Sequence, residues 1–557
     1  MMFWRKTFAK VENSTPRSLV FENSASKNAG LQKVRRVKKL TFRKRATKAL
    51  LLPPLLEQIF KHTMRLRHYL PLLLLLPLFL SFCQKEKFTT DAADKLEFST
   101  DTLRFDTTFT EIGSATRILK VYNRHKESIR ISKIYLEKGA SSKFNLNVDG
   151  LPGDSHENIE IAPEDSLYVF AEVTINPDEP VSSSPFVLAE NLIFETNGNL
   201  QTVVLEAWGQ NAVYLPSRFG AGGVVGLGCD GGEWVWDDPR PYVIYGVLGI
   251  DDCTVRIPAG ARIHVHGGLA KQVADTAIYR YNDGFLAFFG SGKLIVEGTL
   301  ENPVIFEGDR LEPEFAEEAG QWTGIWLQAG TKGHRIEHCI VRNSIIGIRA
   351  DSAVDLTLKN TQIYNTASSG LIGVHAKIDA ENCLFWGNTG FSIQLEYGGE
   401  YNFTYCTAAS YGVDGEALRM GNALCLDDFC VNYVSNPLKA RFQNCILMGS
   451  RADQITLFDR LDDPAQFDYQ FKNCIVRVRD LLDANAYPDF FDFCQPCLNA
   501  DSQDTIFLDP NKNLFRLDTM NSIANRYAAP IPGIDKDLDG KTRDATMPDA
   551  GCYEIEF

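Results

Sequence analysis

Through the middle of this chain the pair Asn-Cys, or a close variant, returns at almost constant spacing. His338-Cys339, Asn360-Thr361, Asn382-Cys383 and Tyr405-Cys406 are separated by 22, 22 and 23 residues, and Asn444-Cys445 and Asn473-Cys474 follow after steps of 39 and 29. A unit of about 22 residues cannot bury a core alone, so successive units must stack. The period suits a β-solenoid whose coils lie roughly 4.8 Å apart and whose equivalent residues form columns.

Apolar strand residues lie ahead of each member of the column (Ile336, Leu358, Ile378, Phe403, Phe442, Phe471), and Ile340-Val341, Ile363-Tyr364 and Leu384-Phe385 follow it. A second column, Gly324-Ile325, Gly347-Ile348, Gly370-Leu371 and Gly390-Phe391, advances in steps of 23, 23 and 20. Asn343, Asn365 and Asn388 form a third candidate column. Asparagine tolerates the left-handed conformation of a corner, and stacked amides can bond one coil to the next. Leucine-rich repeats have a similar period, but their leucine frame and helical half are missing here.

The 557 residues are enough for more than one domain, and their charge is unevenly spread. Residues 1–63 carry 15 Lys or Arg against three acids, a net of +12, whereas the remainder carries 42 against 68, a net of −26. The basic leader has the composition of a nucleic-acid arm or a transit peptide. A true start at Met64 is the preferred expectation, because a complete export signal begins there. Arg65 and Arg67 form a charged region, and a 13-residue apolar run from Leu70 to Phe82 ends at Cys83. A membrane-spanning helix needs roughly 20 residues, so the run reads as a signal segment.

Leu80-Ser81-Phe82-Cys83 resembles the lipobox of bacterial lipoproteins, with Phe82 standing where a small residue is usual. Gln84-Lys85-Glu86-Lys87 resembles the short charged sequence that directs Bacteroidetes lipoproteins to the cell surface. The resemblance implies a lipid-modified Cys83, an outer-membrane anchor and residues 64–83 as the signal peptide, with 84–95 as a linker. Each buried acyl methylene would contribute about 0.8 kcal/mol to anchoring. A plain secretory signal with a chance cysteine is the alternative.

Residues 96–212 show short alternating runs broken by turn residues, the pattern of a β-sandwich. Ile129 to Ile134 and Ser166 to Val173 alternate apolar and polar, and Asn197-Gly198 between Leu192-Ile193-Phe194 and Val203-Val204-Leu205 signals a hairpin. The segment resembles the Ig-like modules of the abnormal-spindle and hydin type. The likeness rests on Val121-Tyr122-Asn123, Ile161-Ala162-Pro163 before Asp165-Ser166-Leu167, Ile175-Asn176-Pro177 and the closing Leu205 to Gln210. No His or Cys constellation occurs in it, and it reads as a spacer.

Thr254 to Ala261 and Leu294 to Phe306 look like opening coils, and Asp535 to Arg543 with Pro548 to Glu554 looks like a closing motif, of the right-handed parallel β-helix lipoproteins. This resemblance spans 213–557. The expected fold class is therefore all-β: an Ig-like sandwich followed by a right-handed parallel β-helix. Insertions at 407–440 and after 480 have no place in the repeat.

Of the 13 cysteines, five lie in the column, where burial as small apolar groups is expected. Cys425 with Cys430 and Cys494 with Cys497 are disulfide candidates in an exported protein, and zinc would require the two pairs to meet in space. Asp535, Asp537 and Asp539 before Gly540 repeat the first half of a calcium loop, although Thr546 stands where the bidentate Glu belongs. Calcium is the one cofactor this suggests, and an acidic turn capping the solenoid is the alternative.

Many β-helix proteins cut acidic polysaccharides. Arg256-Ile257-Pro258 with Arg262 is similar to the Arg-Pro-Arg element of pectate lyases, yet it falls in an opening coil. Hydrolysis would need two carboxylates on one solenoid face. Asp251-Asp252, Asp427-Asp428 and Asp462-Asp463 are adjacent pairs, which a strand sends to opposite faces. The Asn-Thr-Asp and Gly-His-Gly elements of polygalacturonases are missing. His334, Arg335, Glu337 and His338 cluster in sequence and fit equally a polar outer face, while Trp234, Trp236, Tyr397 and Tyr401 are candidate sugar platforms or core.

From Cys83 onward 40 basic residues face 68 acids, which excludes nucleic acid as the natural partner. The expected protein is lipid-anchored at the cell surface, its β-helix binding glycan or another extended ligand without catalysis. A polysaccharide lyase or glycoside hydrolase acting on acidic glycans is the first alternative, and a structural or adhesive scaffold the second.

Overall fold

Asparagine and its substitutes in the repeat sit where the chain must turn sharply, and a computed structural model of the protein shows how. It describes residues 87–109, 116–174, 186–210, 212–215, 224–274, 277–311, 315–427, 429–460, 466–484 and 486–555. His338, Asn360, Asn382, Tyr405, Asn444 and Asn473 all take left-handed backbone, with φ between 45° and 59°. Asparagine bears this conformation at little cost, which explains its dominance at the position. The amides also join coils: Asn382 Nδ2 donates to Asn360 Oδ1 at 3.2 Å, and Asn360 Nδ2 lies 3.1 Å from His338 Nε2.

The residue after this corner points inward. Cys383, Cys445 and Cys474 donate through Sγ to the carbonyl two residues back at 3.3 Å, and Thr361 Oγ1 does the same to Lys359 at 2.8 Å. Threonine can stand in for cysteine here because each is a small side chain with one donor. The column cysteines are buried free thiols, and burial raises the pKa of Cys339 and Cys383.

The coils build three parallel sheets of eleven, nine and nine strands, making the second part of the chain a parallel β-helix. The cysteine sheet contains Cys339–Arg342, Gln362–Tyr364 and Leu384–Trp386; the glycine sheet Gly324–Leu327, Ile348–Ala350 and Leu371–Val374; the alternating sheet Asp355–Lys359, Lys377–Glu381 and Gly399–Thr404. Inside, like residues stack. Phe403, Phe442 and Phe471 lie with ring centroids 4.9 and 4.7 Å apart and planes 4° and 12° from parallel.

Unequal corners shift three expected registers. Leu371 faces Ile393 across the glycine sheet, two residues past Phe391. In the alternating sheet Leu358 faces Ala380, so Ile378 is not the equivalent of Leu358 and Phe403. In the third column Asn343 and Asn365 are left-handed and linked at 2.8 Å, but at the next coil Gly387 takes the turn. Asn388 is instead buried, accepting from Thr366 Oγ1 at 2.9 Å.

Ahead of the solenoid, two five-stranded sheets form a β-sandwich around Leu119, Val121, Ile131, Phe194 and Leu205. Asn197 and Gly198, with φ of 51° and 79°, turn the hairpin between Phe186–Thr196 and Asn199–Gln210. The buried Asn123 amide donates to the carbonyls of Glu127, Ile161 and Ala162 at 2.9, 3.1 and 2.9 Å. Lys87 to Thr89, expected in a linker, run along this unit, where Thr89 N donates to Ser128 O at 3.0 Å. Cys83 and the leader lie outside the described residues.

The insertions now have positions. Strands Ala423–Cys425 and Tyr433–Ser435 pair as a hairpin that carries a Cys425–Cys430 disulfide, and Cys494 bonds Cys497 where the last strand of the cysteine sheet begins. A third disulfide joins Cys229 and Cys253. The closing segment lies over the later coils of the cysteine sheet, where Tyr405 Oη donates to Ala529 O at 2.8 Å and Arg543 Nη2 to Asn382 Oδ1 at 2.9 Å.

Candidate functional site

A three-sided solenoid offers three outer faces, and each is used differently. The later coils of the cysteine sheet are occluded, since outward Leu384, Ala409, Ile446 and Met448 form one buried cluster with Phe507, Phe515 and Tyr553 of the closing segment. The alternating sheet carries charge ladders: Arg256 pairs with Glu233 at 2.7 Å and Glu297 at 2.6 Å, Arg335 reaches Glu297 at 3.1 Å, and Lys359 meets Glu381 at 3.1 Å. These exposed pairs fit a solvated surface.

The glycine sheet differs. Alternation sends Ile325, Leu327, Ile348 and Leu371 inward, so Trp326, Arg349, Ile372, Gln394 and Arg419 project outward in one column, paired coil by coil. Asp351, Val374 and Glu396 stand in the neighbouring column. The opening end is apolar, with Val247, Phe285 and Ala287 clustered against Trp326 and the Phe285 and Trp326 rings 6.0 Å apart. Next, Trp326 Nε1 donates to Asp351 Oδ2 at 2.7 Å, Arg349 Nε donates to Asp351 Oδ1 at 2.8 Å, and the Arg349 guanidinium lies 5.3 Å from the Trp326 ring.

One coil on, Ile372 and Val374 form a low apolar floor. They point outward between the Arg349 and Asp351 coil and the Gln394 and Glu396 coil, and only 7% and 8% of their surfaces are exposed. The far wall is Gln394, which donates to Glu396 at 3.1 Å and accepts from Ser369 Oγ at 2.6 Å; Arg419 Nε holds Glu396 at 3.0 Å. The result is a shallow notch running across the coils, with an indole at its head, an aliphatic floor and rims whose polar groups are fixed by one another.

Hydrolysis calls for two carboxylates on one face, and Asp351 and Glu396 meet that condition, two coils apart or roughly 9.6 Å along the axis. Neither stands free, however: both Asp351 oxygens are occupied by Trp326 and Arg349, and Glu396 holds Arg419 and Gln394. These are ion-paired carboxylates along one rim. Sequence inspection missed these residues because none belongs to a motif. The usable signal was the offset Gly-x-Trp326, Gly-x-Arg349, Gly-x-Ile372, two residues after each column glycine.

The residues expected to carry chemistry lie elsewhere. Trp236 and Tyr401 are fully buried, and Tyr401 Oη donates to Gly398 O at 2.8 Å, so both are core. Partly buried Trp234 packs edge-on against Trp236, and Tyr397 lies against His375. His334 is buried against Thr331 and the Leu294 amide, whereas Arg335 is outside on a charge ladder. Burial, with the Lys293 charge, pulls the His334 pKa down to about 4. Asp251 and Asp252 flank Ser291, and Asp427 braces the disulfide hairpin by accepting the amides of Phe429, Val431 and Asn432.

The acidic turn at Asp535, Asp537 and Asp539, the candidate calcium loop, lies in the closing segment. Asp537 accepts the amides of Lys541 and Glu554 at 2.7 and 2.8 Å, and Asp539 pairs with Arg516 at 2.6 Å. Asp537 and Asp539 thereby fasten the closing segment, and among the described residues no group of three or more His, Cys, Asp or Glu is placed to hold a metal ion. Cys425 with Cys430 and Cys494 with Cys497, the disulfide candidates, are each bonded as a disulfide, which leaves neither pair free for the zinc alternative.

A second polar cluster lies on the early coils of the cysteine sheet. His264, Glu307, Arg342 and Tyr364 follow in one outward column, with Glu307 bound by Arg342 at 2.6 and 2.8 Å. Beside it His266 Nδ1 lies 2.6 Å from Asp309 Oδ2, and the His266 ring stacks on Tyr245 at 4.2 Å. Burial opposes charge on His266, but the Asp309 hydrogen bond and the Asp309 and Asp283 charges outweigh it, and the pKa is raised. Burial dominates at His264 and lowers its pKa.

No family description matches this chain, and no curated protein is significantly similar to it in sequence. Among solved structures it is similar to pectate lyase Pel9A, with 13% identity, 62% of this chain and 88% of that one covered, and a TM-score of 0.31. A GH87 α-1,3-glucanase from Streptomyces thermodiastaticus strain HF3-3 gives 11% identity, 65% and 75% coverage, and a TM-score of 0.25. A protein of unknown function from Porphyromonas gingivalis W83 gives 11% identity over 25% of this chain at a TM-score of 0.16, and the chain spans 59% of that protein's length. At these scores the likenesses carry no argument about activity.

Proposed function

We propose that this protein is held at the outer membrane by acyl chains on Cys83 and binds an extended glycan, without cleaving it, along the outer face of the glycine sheet. The observation that carries the reading is the notch floored by Ile372 and Val374, headed by Trp326 and walled by Arg349, Asp351, Gln394 and Glu396. A sugar ring has an apolar C–H face and an equator of hydroxyls, and an indole or aliphatic floor beside fixed donors and acceptors complements both. A stack of coils repeats this pairing along its axis, as a polysaccharide repeats along its own. The sandwich then serves as the spacer between anchor and binding face.

The test is to incubate the chain from Gln84 onward with neutral and acidic polysaccharides, with and without Ca²⁺. Retention without new reducing ends or unsaturated uronate absorbance is expected, and either product would contradict the non-catalytic part and favour a lyase or hydrolase. For the anchor, Cys83→Ala should release the protein from membranes; unchanged membrane association would remove that part of the reading.

A further inference from the structure

We infer that the glycan bound on this face is uncharged, an inference that rests on the glycine-sheet reading above. Every arginine of the described notch is already matched by a carboxylate on the same face. Arg349 is held by Asp351 at 2.8 Å and Arg419 by Glu396 at 3.0 Å, and Arg451 at the margin lies 3.8 Å from Glu416. These carboxylates are largely sheltered, with 10%, 15% and 14% of their side-chain surfaces exposed, so they are fixed parts of the surface.

A uronate or sulfate entering the notch would meet Asp351 and Glu396 at close range. To gain an arginine it would have to displace one of them and leave a sheltered carboxylate without its partner, which costs more than the new pair returns. At longer range the chain from Cys83 onward carries 28 more acids than bases, and the resulting potential repels polyanions. A neutral sugar meets neither penalty. It needs only the indole, the aliphatic floor and the hydrogen bonds that the paired guanidinium groups and Gln394 still offer at their open edges.

The experiment is affinity electrophoresis of the full chain in gels containing laminarin, xylan, mannan, polygalacturonate or alginate, at low and at physiological salt, with Trp326→Ala and Glu396→Gln beside the wild type. The wild type should be retarded by at least one neutral polysaccharide, with an apparent Kd changing less than about two-fold between the salts. Trp326→Ala should abolish that retardation, and Glu396→Gln, by unmasking Arg419, should gain retardation by polygalacturonate or alginate. Wild-type retardation by the acidic polymers that depends on Trp326 and weakens with salt would overturn the uncharged class while leaving the binding face intact. Retardation by no polymer, or retardation unaffected by Trp326→Ala in a protein with unchanged melting, would overturn the face as well.

Discussion

The alternating and glycine sheets grow from the same coils, bury residues of the same kind and differ only in what they turn outward. On the alternating sheet long side chains pair ionically from coil to coil, as Arg256 does with Glu233 and Glu297 and Arg441 with Asp468, and these pairs stay open to water. On the glycine sheet the ion pairs are confined to the rims, with Ile372 and Val374 lying between them as an apolar strip. A repeat that fixes the core thus leaves each face free to vary, and function is written in residues the repeat does not constrain.

The comparison can be broken from inside. Phe442 lies beneath the alternating face between two parallel rings, and Phe442→Ala should destabilise the solenoid by about 3–5 kcal/mol in urea unfolding. A loss below about 1 kcal/mol would mean that the stacks do not hold the coils in register. Beneath the glycine face, Gly373 exists because the Tyr401 ring fills the place of a side chain: a Cβ there would sit 2.8 Å from Tyr401 Cε1. Gly373→Ala should cost about 1–3 kcal/mol and disturb glycan retention through the notch floor, whereas Phe442→Ala should affect retention only through unfolding.

The early coils of the cysteine sheet add a pH-dependent term. The folded-state pKa of His266 is raised, so the stability it contributes is fully present below the unfolded value of about 6.5 and is lost as pH rises through the folded value. Asp309, Asp283 and Arg310 are the charged groups that set the shift. Hydrogen exchange in strand Arg262–His266 should therefore accelerate more with pH than intrinsic exchange does, and Asp309→Asn should remove the excess. An excess of opposite sign would contradict the assignment. Smallest of all, Arg335→Ala on the alternating face should change stability by no more than about 0.5 kcal/mol and leave glycan retention untouched.

Much of the scaffold was legible in the sequence because the corners are local. A left-handed residue followed by a small inward donor is a two-residue requirement, so Asn-Cys and Asn-Thr reported it directly. Registers slipped at Phe391, Ile378 and Asn388, where corners of different length displace the next strand and only its pairing partner reveals the shift. The Cys229–Cys253 disulfide escaped notice because its coil carries no Asn-Cys corner to mark the register. The notch was the least legible part. Trp326, Arg349 and Glu396 share no residue type, and nothing joins them until the sheet stacks their coils. In the acidic tail, likewise, Asp537 is taken up by two backbone amides and Asp539 by Arg516, partners that no local motif announces.

Oxidative footprinting of the full chain, with and without a retained polysaccharide, tests the central claim most directly. Glycan should protect Trp326 and Phe391 on the glycine sheet while Tyr433 on the disulfide hairpin and Pro258 on the alternating sheet keep their reactivity. Protection of the alternating sheet, or unchanged reactivity of Trp326 under saturating glycan, would contradict the placement of the binding face.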